Sequence, residues 1–411
     1  RMAERLRMAV QRLQEQGLDP TLCAALPSSG TTLHRLLGVI PDSPRFRHHA
    51  DNPLAVDVVV VDEASMIDLP MMAKLVDAIA SGTRLILLGD PDQLPSVEAG
   101  DVLSAILRAS GDGIGTRADD ALALHGLLAP ATLQPQAAPR AFAGRRVQLQ
   151  RGYRQSDALD LAPLAHAVRE GDSGTALQLL RSGELAGVHF HEGEADPLRG
   201  QREHLLGHWR ALAEAADPVR ALQQAGRLRV LTALREGPQG ARGLNSRIEQ
   251  LLAGNTPGYF QGRLLLVTEN SYRHRLFNGD IGICLRDGSG AMVAWFPGDS
   301  VDHPRAFHPA ALPAHESAFA MTVHKAQGSE FDEVWLQLPR QDSRVLSREL
   351  VYTGLTRARQ VLHVAGSADV LQAALKRHAS RLGGLAWRLG AEDVAEQPAR
   401  IEQPTVQGTL F

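Results

Sequence analysis

A chain of 411 residues with 44% apolar and 22% charged side chains has room for two or three domains, each with its own core. No apolar run approaches the roughly 20 residues needed to cross a bilayer as a helix, and no charged-then-apolar leader opens the chain at Arg1. The net charge of −3 gives no global attraction to nucleic acid, but leaves room for a local groove that holds a strand. Cys23 and Cys284 lie far apart without CxxC or zinc-type spacing, which reads as two reduced thiols in a cytoplasmic protein.

In chain order, residues 1–16 read as a helix stopped by Gly17. A loop-rich stretch from Leu18 to Asn52 follows, with TTLHRLLG near its middle. Five of the six residues from Val56 to Val61 are valines, which predicts a parallel strand buried on both faces. A helix is expected from about Leu69, with Pro70 in its first turn and Gly82 closing it. TRLILLGD then supplies a second strand ending at Gly89 and Asp90. Strand, helix and strand in so few residues imply a right-handed parallel crossover. Residues 110–145 are rich in Ala, Gly and Pro and read as a linker or exposed insertion. A second α/β domain follows from 146 to 370, with strands at Leu228–Leu234, Glu333–Leu338 and Val361–Gly366 and a helix from Ser347 to Arg359. Inside it, NGD at Asn278–Asp280 and DGSG at Asp287–Gly290 mark tight turns of a small inserted β-barrel, placed at 262–312. Residues 371–411 form a last helix and tail.

The chemistry sits at strand ends. Asp62 and Glu63 follow the valine strand, where a doubly wound sheet puts its ligand site. There an Asp can hold Mg²⁺ while its neighbour polarises a water. Gln93 follows the next strand beside Asp90, and its amide can both donate to a terminal phosphate and accept from an attacking water. The plainer reading of Gln93 is a turn residue between Pro91 and Pro95. Far downstream, AMTVHKAQGSEF packs Thr322, His324, Gln327, Gly328, Ser329 and Glu330 into one short loop, a surface suited to a sugar–phosphate backbone. Arg154 and Arg357 are candidates for a cation that reaches a phosphate and makes hydrolysis depend on cleft closure. The only lysines are Lys74, Lys325 and Lys376, and none follows a glycine, so the sequence holds no G-x-x-x-x-G-K-[ST] phosphate loop.

The strings DEASMIDLPMM, GDPDQLPSVEAGDVL, ALREGPQGARGLN, LFNGDIG, TVHKAQGSEF and VYTGLTRAR, in that order, resemble the RecD family of superfamily 1 DNA helicases, the alpha subunit of exodeoxyribonuclease V. The resemblance runs from Arg1 to about Val370. It implies two RecA-like parallel-sheet motor domains, the first incomplete and occupying 1–109, with an SH3-like barrel inserted in the second. It also implies ATP and Mg²⁺ as cofactors. Asp62 would be the Mg²⁺ ligand and Glu63 the catalytic base. Gln93 would sense the γ-phosphate, and Arg154 and Arg357 would bring positive charge to it. Thr32, His34, Asn278 and the residues of the TVHKAQGSEF loop would contact single-stranded DNA.

Family members translocate 5′ to 3′, and RecD proper works with RecB and RecC in double-strand break repair and recombination, the nuclease centre belonging to RecB. Without a phosphate loop the chain is expected to be inactive alone, as a motor protein lacking its front end. Two alternatives are a hydrolysis-dead scaffold that binds DNA or partners, and a stand-alone RecD-like helicase. Gln407, Leu410 and Phe411 in the terminal QPTVQGTLF resemble a short motif that binds the bacterial sliding clamp.

Overall fold

The structure is a computed structural model that describes residues 2–27, 30–40, 43–96, 98, 100–111, 142, 145–149, 158–215, 217–254, 258–298, 303–379 and 383–390. The described residues divide into two compact units. One is drawn from Arg1–Gly89, Ser96–Ala109 and Gly383–Phe411, the other from Asp90–Pro95 and Ser110–Leu382. No described helix is long and apolar enough to cross a membrane.

The first unit opens with helix Met2–Glu15, followed by Gly17 at φ +84°, the left-handed backbone that ends helices. A short helix, Leu33–Leu37, is capped by the Thr32 hydroxyl, which accepts from Arg35 N. Strands β1 (Val58–Val61) and β2 (Arg84–Leu87) pair in parallel, joined by helix Leu69–Asp77. Asp68 caps that helix by accepting from Met71 N at 2.7 Å. The helix ends at Asp77 and not at Gly82. Leu54 N takes the Ala78 carbonyl at 2.8 Å and Leu54 bridges to Ile79, pulling the chain out of helical geometry; Gly82, at φ +95°, serves the turn into β2.

The expectation that the valine strand is buried on both faces is corrected. Val59 and Val61 join a core with Leu37, Leu54, Met72, Leu75 and Leu103, whereas Val58 and Val60 are 47% and 57% exposed. Alternation follows from the period-2 geometry of a strand with one covered face. Among the described residues, nothing covers the other.

In the second unit a five-stranded sheet is built from β3 (Val188–Glu192), β4 (Leu228–Thr232), β10 (Ala320–Thr322), β11 (Phe331–Gln337) and β12 (Ala358–Gly366). Its order is β10-β4-β11-β12-β3, and every pairing is parallel. β4 is buried at all five positions, as a central strand sandwiched between helices should be. Helix Arg348–Leu355 starts where expected, with Ser347 Oγ accepting from Leu350 N at 3.2 Å, and stops at Leu355 because β12 begins three residues later at Ala358. β3 and β10 were not expected from the sequence, the first because VHFHE alternates over only two apolar residues and the second because it is three residues long.

Between β4 and β10, strands β5 (Leu264–Val267), β6 (Ile281–Arg286), β7 (Met292–Phe296), β8 (Arg305–Phe307) and β9 (His315–Ser317) form an antiparallel sheet in the order β8-β7-β6-β5-β9. This is the inserted element, and it runs past the expected bound of 312 to Ser317. Among the described residues its hydrogen bonds leave β8 and β9 as edges, so the SH3-like reading rests on strand number and order. DGSG makes the β6–β7 turn, with Asp287 Oδ1 accepting from Ser289 N and Ala291 N. NGD instead closes a longer excursion from β5 to β6, with Asp280 Oδ2 accepting from Phe277 N and Gly279 at φ +96°. Cys284, on β6, is wholly buried and free, and burial pushes its thiol up to about 12.

Candidate functional site

In the first unit, Asp62 and Glu63 follow β1 directly, at its carboxyl end. Glu63 adopts φ 54° and ψ 41°, a left-handed conformation that costs a non-glycine residue roughly 1–2 kcal/mol. Such strain is held where surroundings over-determine it. Here Ala64 N is tied to Leu88 O at 2.8 Å and Met66 N to Glu63 O at 3.0 Å. Gly89 permits this close approach, since a Cβ there would stand 3.1 Å from the backbone nitrogens of Ala64 and Ser65 and 2.8 Å from Leu103. Asp62 is exposed, and Glu63 N donates to its Oδ1 at 3.0 Å. An exposed carboxylate held by one backbone amide at a strand end suits a hard cation that keeps most of its waters.

Gln93 is buried within the Asp90–Pro95 segment of the second unit. Its Nε2 donates to Asp90 Oδ2 at 3.2 Å, while its Oε1 is enclosed with no hydrogen-bonding partner among the described residues. One of the two Nε2 hydrogens is thus held by Asp90, and the open Oε1 is set to receive a proton donor such as water. Asp90 Oδ2 also accepts from the Tyr352 hydroxyl at 3.1 Å, and burial together with Asp90's charge pushes that phenol up, keeping it a donor. Burial likewise raises the neighbouring Asp92 carboxyl, with Asp90 adding to the effect.

Leu94 fixes this segment in place. Its N–H donates to Thr353 Oγ1 and its carbonyl accepts from Gln327 Nε2, both at 2.8 Å. Gln327 therefore commits one amide hydrogen to protein. Thr322, His324, Ser329 and Glu330 are half-buried around it, and Gly328 is exposed at φ +70°. Lys325 is held by Glu316, which Arg235 and Arg242 also face at 3.7 and 4.0 Å. Arg357 is 1% exposed. Its Nε donates to Thr353 O at 3.0 Å, and Nη1 to Ser329 O and Nη2 to Thr356 Oγ1 at 3.3 Å each. The segment carrying Gln93, the 322–330 loop and Arg357 thus form one hydrogen-bonded piece. That linkage was absent from the sequence reading, because Thr353 and Tyr352 look like ordinary helix residues.

Thr32 and His34 are exposed in the first unit, with the His34 ring 5.9 Å from that of Phe46; Asn278 is exposed at the NGD turn. Arg154, Gln407, Leu410 and Phe411 lie outside the described residues.

A cleft of 240 Å³ in the second unit is lined by Leu94, His324, Arg344, Ser347, Arg377 and His378, among others. At its rim, burial pushes the Glu349 carboxyl up, but bonds from His378 and from Ala379 N outweigh it and hold the group at about 2. A depressed carboxyl contributes stability above its unfolded value near 4.3 and loses it as pH falls through the folded one. Unfolding free energy is therefore expected to drop by about 3 kcal/mol between pH 5 and pH 2 on this account. Denaturant titrations of Glu349→Gln should show a correspondingly flatter pH dependence; an identical slope in both proteins would remove the assignment.

Comparison with known proteins agrees with the motif order. Residues 1–99 match an AAA domain model, and residues 317–365 match a UvrD-like helicase C-terminal domain. The RecBCD enzyme subunit RecD of Mycolicibacterium smegmatis is 39% identical over 370 residues, covering 87% of this chain and 59% of that protein. Its counterpart in Mycobacterium tuberculosis is 40% identical over 399 residues, covering 94% and 62%. The ATP-dependent RecD2 DNA helicase of Deinococcus radiodurans is 30% identical over 388 residues, covering 90% and 46%. The chain spans about six tenths of the length of the RecD subunits it matches. With its motifs in family order and this identity across most of its own length, the chain is a homologue of the RecD subunits of RecBCD enzymes.

Proposed function

We propose that this chain is the motor portion of an ATP-driven DNA helicase subunit that moves 5′ to 3′ on single-stranded DNA and works with RecB- and RecC-type partners in double-strand break repair. The observation that carries the proposal is the bonding of Leu94 to both Gln327 and Thr353. It makes a loop of DNA-contacting character and the Gln93 segment respond to each other, which a motor needs and a passive scaffold does not. The 39% and 40% identity to the two mycobacterial RecD subunits, against 30% to the RecD2 helicase, favours the complex-forming type over the stand-alone one.

In this proposal Asp62 holds Mg²⁺, and Glu63 takes a proton from the attacking water, which Gln93 Oε1 helps orient. When bound, the cation neutralises charge developing on the β- and γ-phosphate oxygens. Arg154 and Arg357 supply the remaining positive charge. Thr322, His324, Ser329 and Glu330, with Gly328 allowing close approach, face the DNA backbone, joined by Thr32, His34 and Asn278. Gln327 acts mainly as the tie between that loop and the nucleotide-sensing segment.

The test is unwinding of tailed duplexes by a protein that carries this chain with a phosphate-binding loop, assembled with its RecB- and RecC-type partners. RecB nucleotide hydrolysis is blocked, so that only this motor runs. Opening from a 5′ tail with ATP, and not from a 3′ tail, is expected. DNA binding without hydrolysis or opening would establish the scaffold reading instead.

A further inference from the structure

The second unit carries a group of imidazoles that the nucleotide and DNA chemistry leaves unused. They converge on one face of the parallel sheet, well separated in sequence from the Gln93 segment. β3 contributes His189 and His191, β12 contributes His363, and β11 contributes Glu333 and Trp335. His363 is in register with His189 on one side and Trp335 on the other, so these side chains share a face. Helix Arg202–Glu214 adds His204, whose Nε2 lies 2.6 Å from Glu333 Oε1. His363 Nε2 lies 3.3 Å from the same oxygen, and the three donor atoms are all within 4.8 Å of one another.

We propose that His204, Glu333 and His363 form a binding site for a divalent transition metal of the zinc class. Three donors about 2.0–2.2 Å from a tetrahedral ion stand roughly 3.3 Å apart. The His363–Glu333 separation already has that value, and the His204–Glu333 pair needs to open by less than 1 Å. His204 sits on the half-exposed side of the site, which gives an ion a way in, while His363 and Glu333 are mostly covered. A metal entering here replaces the proton shared between imidazole and carboxylate, and that proton leaves to solvent. Water fills the fourth position.

Two further contacts favour a metal over a simple ion pair. His191 Nε2 lies 3.0 Å from His363 Nδ1, so the nitrogen of His363 that faces away from Glu333 already has a partner. Partners of this kind fix the tautomer and orientation of ligating histidines. His191 is itself held by stacking on Trp335, with ring centroids 4.5 Å apart. Two imidazoles and a single carboxylate select zinc, cobalt or nickel over Mg²⁺, which demands oxygen ligands. The site therefore differs in kind from Asp62. A bound ion would pin helix Arg202–Glu214 to β11 and β12.

The experiment uses the whole 411-residue chain, stripped with a chelator and titrated with Zn²⁺ by calorimetry and with Co²⁺ by visible absorption. One equivalent more metal is expected in the native chain than in His204→Gln, whose position is exposed enough to accept the change. His191→Phe should keep the stoichiometry and weaken affinity by about 10–100-fold. Added Zn²⁺ should raise the melting temperature of the native chain and not that of His204→Gln. Equal stoichiometry and affinity in the native chain and His204→Gln, or no metal bound by the native chain, would overturn the proposal.

Discussion

Replacing Arg357 with alanine is expected to lower DNA-stimulated ATP hydrolysis by about 10³-fold or more, in a protein that carries this chain with a phosphate-binding loop. The reason is double. A guanidinium directed at a transferring phosphoryl group is worth that much in related chemistry. Arg357, proposed for that role, is also built into the hydrogen-bonded piece around the 322–330 loop: it donates to Thr353 O, Ser329 O and Thr356 Oγ1 while nearly fully buried. To reach a phosphate it must exchange some of these contacts, and release of Nη1 would free the Ser329 carbonyl in the 322–330 loop. Arg357→Lys keeps the charge but lacks the planar fork that meets several oxygens at once, so it should recover little of the rate. Steady-state hydrolysis at saturating single-stranded DNA reads the loss, and thermal unfolding of the same variants separates it from misfolding. An alanine variant within tenfold of the native rate would show that Arg357 is structural only.

How much of this was legible in the sequence depends on whether the signal was local. The valine run located β1 and placed Asp62 and Glu63 at its end. It could not reveal which faces would be covered, because cover comes from elements elsewhere in the chain. Hence Val58 and Val60 are exposed where burial was expected. β4 is buried throughout because it lies inside its sheet, between β10 and β11. Gln93 stood out through its position after an apolar strand. The partners of Leu94 did not, since Thr353 and Gln327 lie 259 and 233 residues away. β3 does alternate, Val188 and Phe190 against His189, His191 and Glu192, but two apolar residues are too few to stand out from a loop.

A similarly hidden residue carries the second large effect. Asn245 sits in the interior of helix Ala241–Ala253, at the end of the ALREGPQGARGLN string, and mid-helix asparagines are ordinarily unremarkable. It is 6% exposed and makes three bonds to the corner where the inserted sheet returns to the parallel one. Nδ2 donates to Ser317 O and Ala320 O, and Oδ1 accepts from Ala320 N, all at 2.8 Å. Ser317 ends β9 and Ala320 begins β10, which ends at Thr322, where the 322–330 loop starts. Asn245→Ala would leave three buried backbone groups without partners, each costing about 1–3 kcal/mol. Shared relaxation makes the sum less than additive, so a loss of about 3–5 kcal/mol is expected. Asn245→Asp keeps the acceptor but turns a second oxygen toward two carbonyls, and should fare no better. Trp209 and Trp335, both fully buried in the second unit, report its unfolding by fluorescence in urea. Asn278→Ala, at an exposed turn, serves as the control and should stay within about 0.5 kcal/mol. A loss below 1 kcal/mol for Asn245→Ala would mean that the corner holds its shape through the sheets alone, and that the register of the 322–330 loop does not depend on this helix.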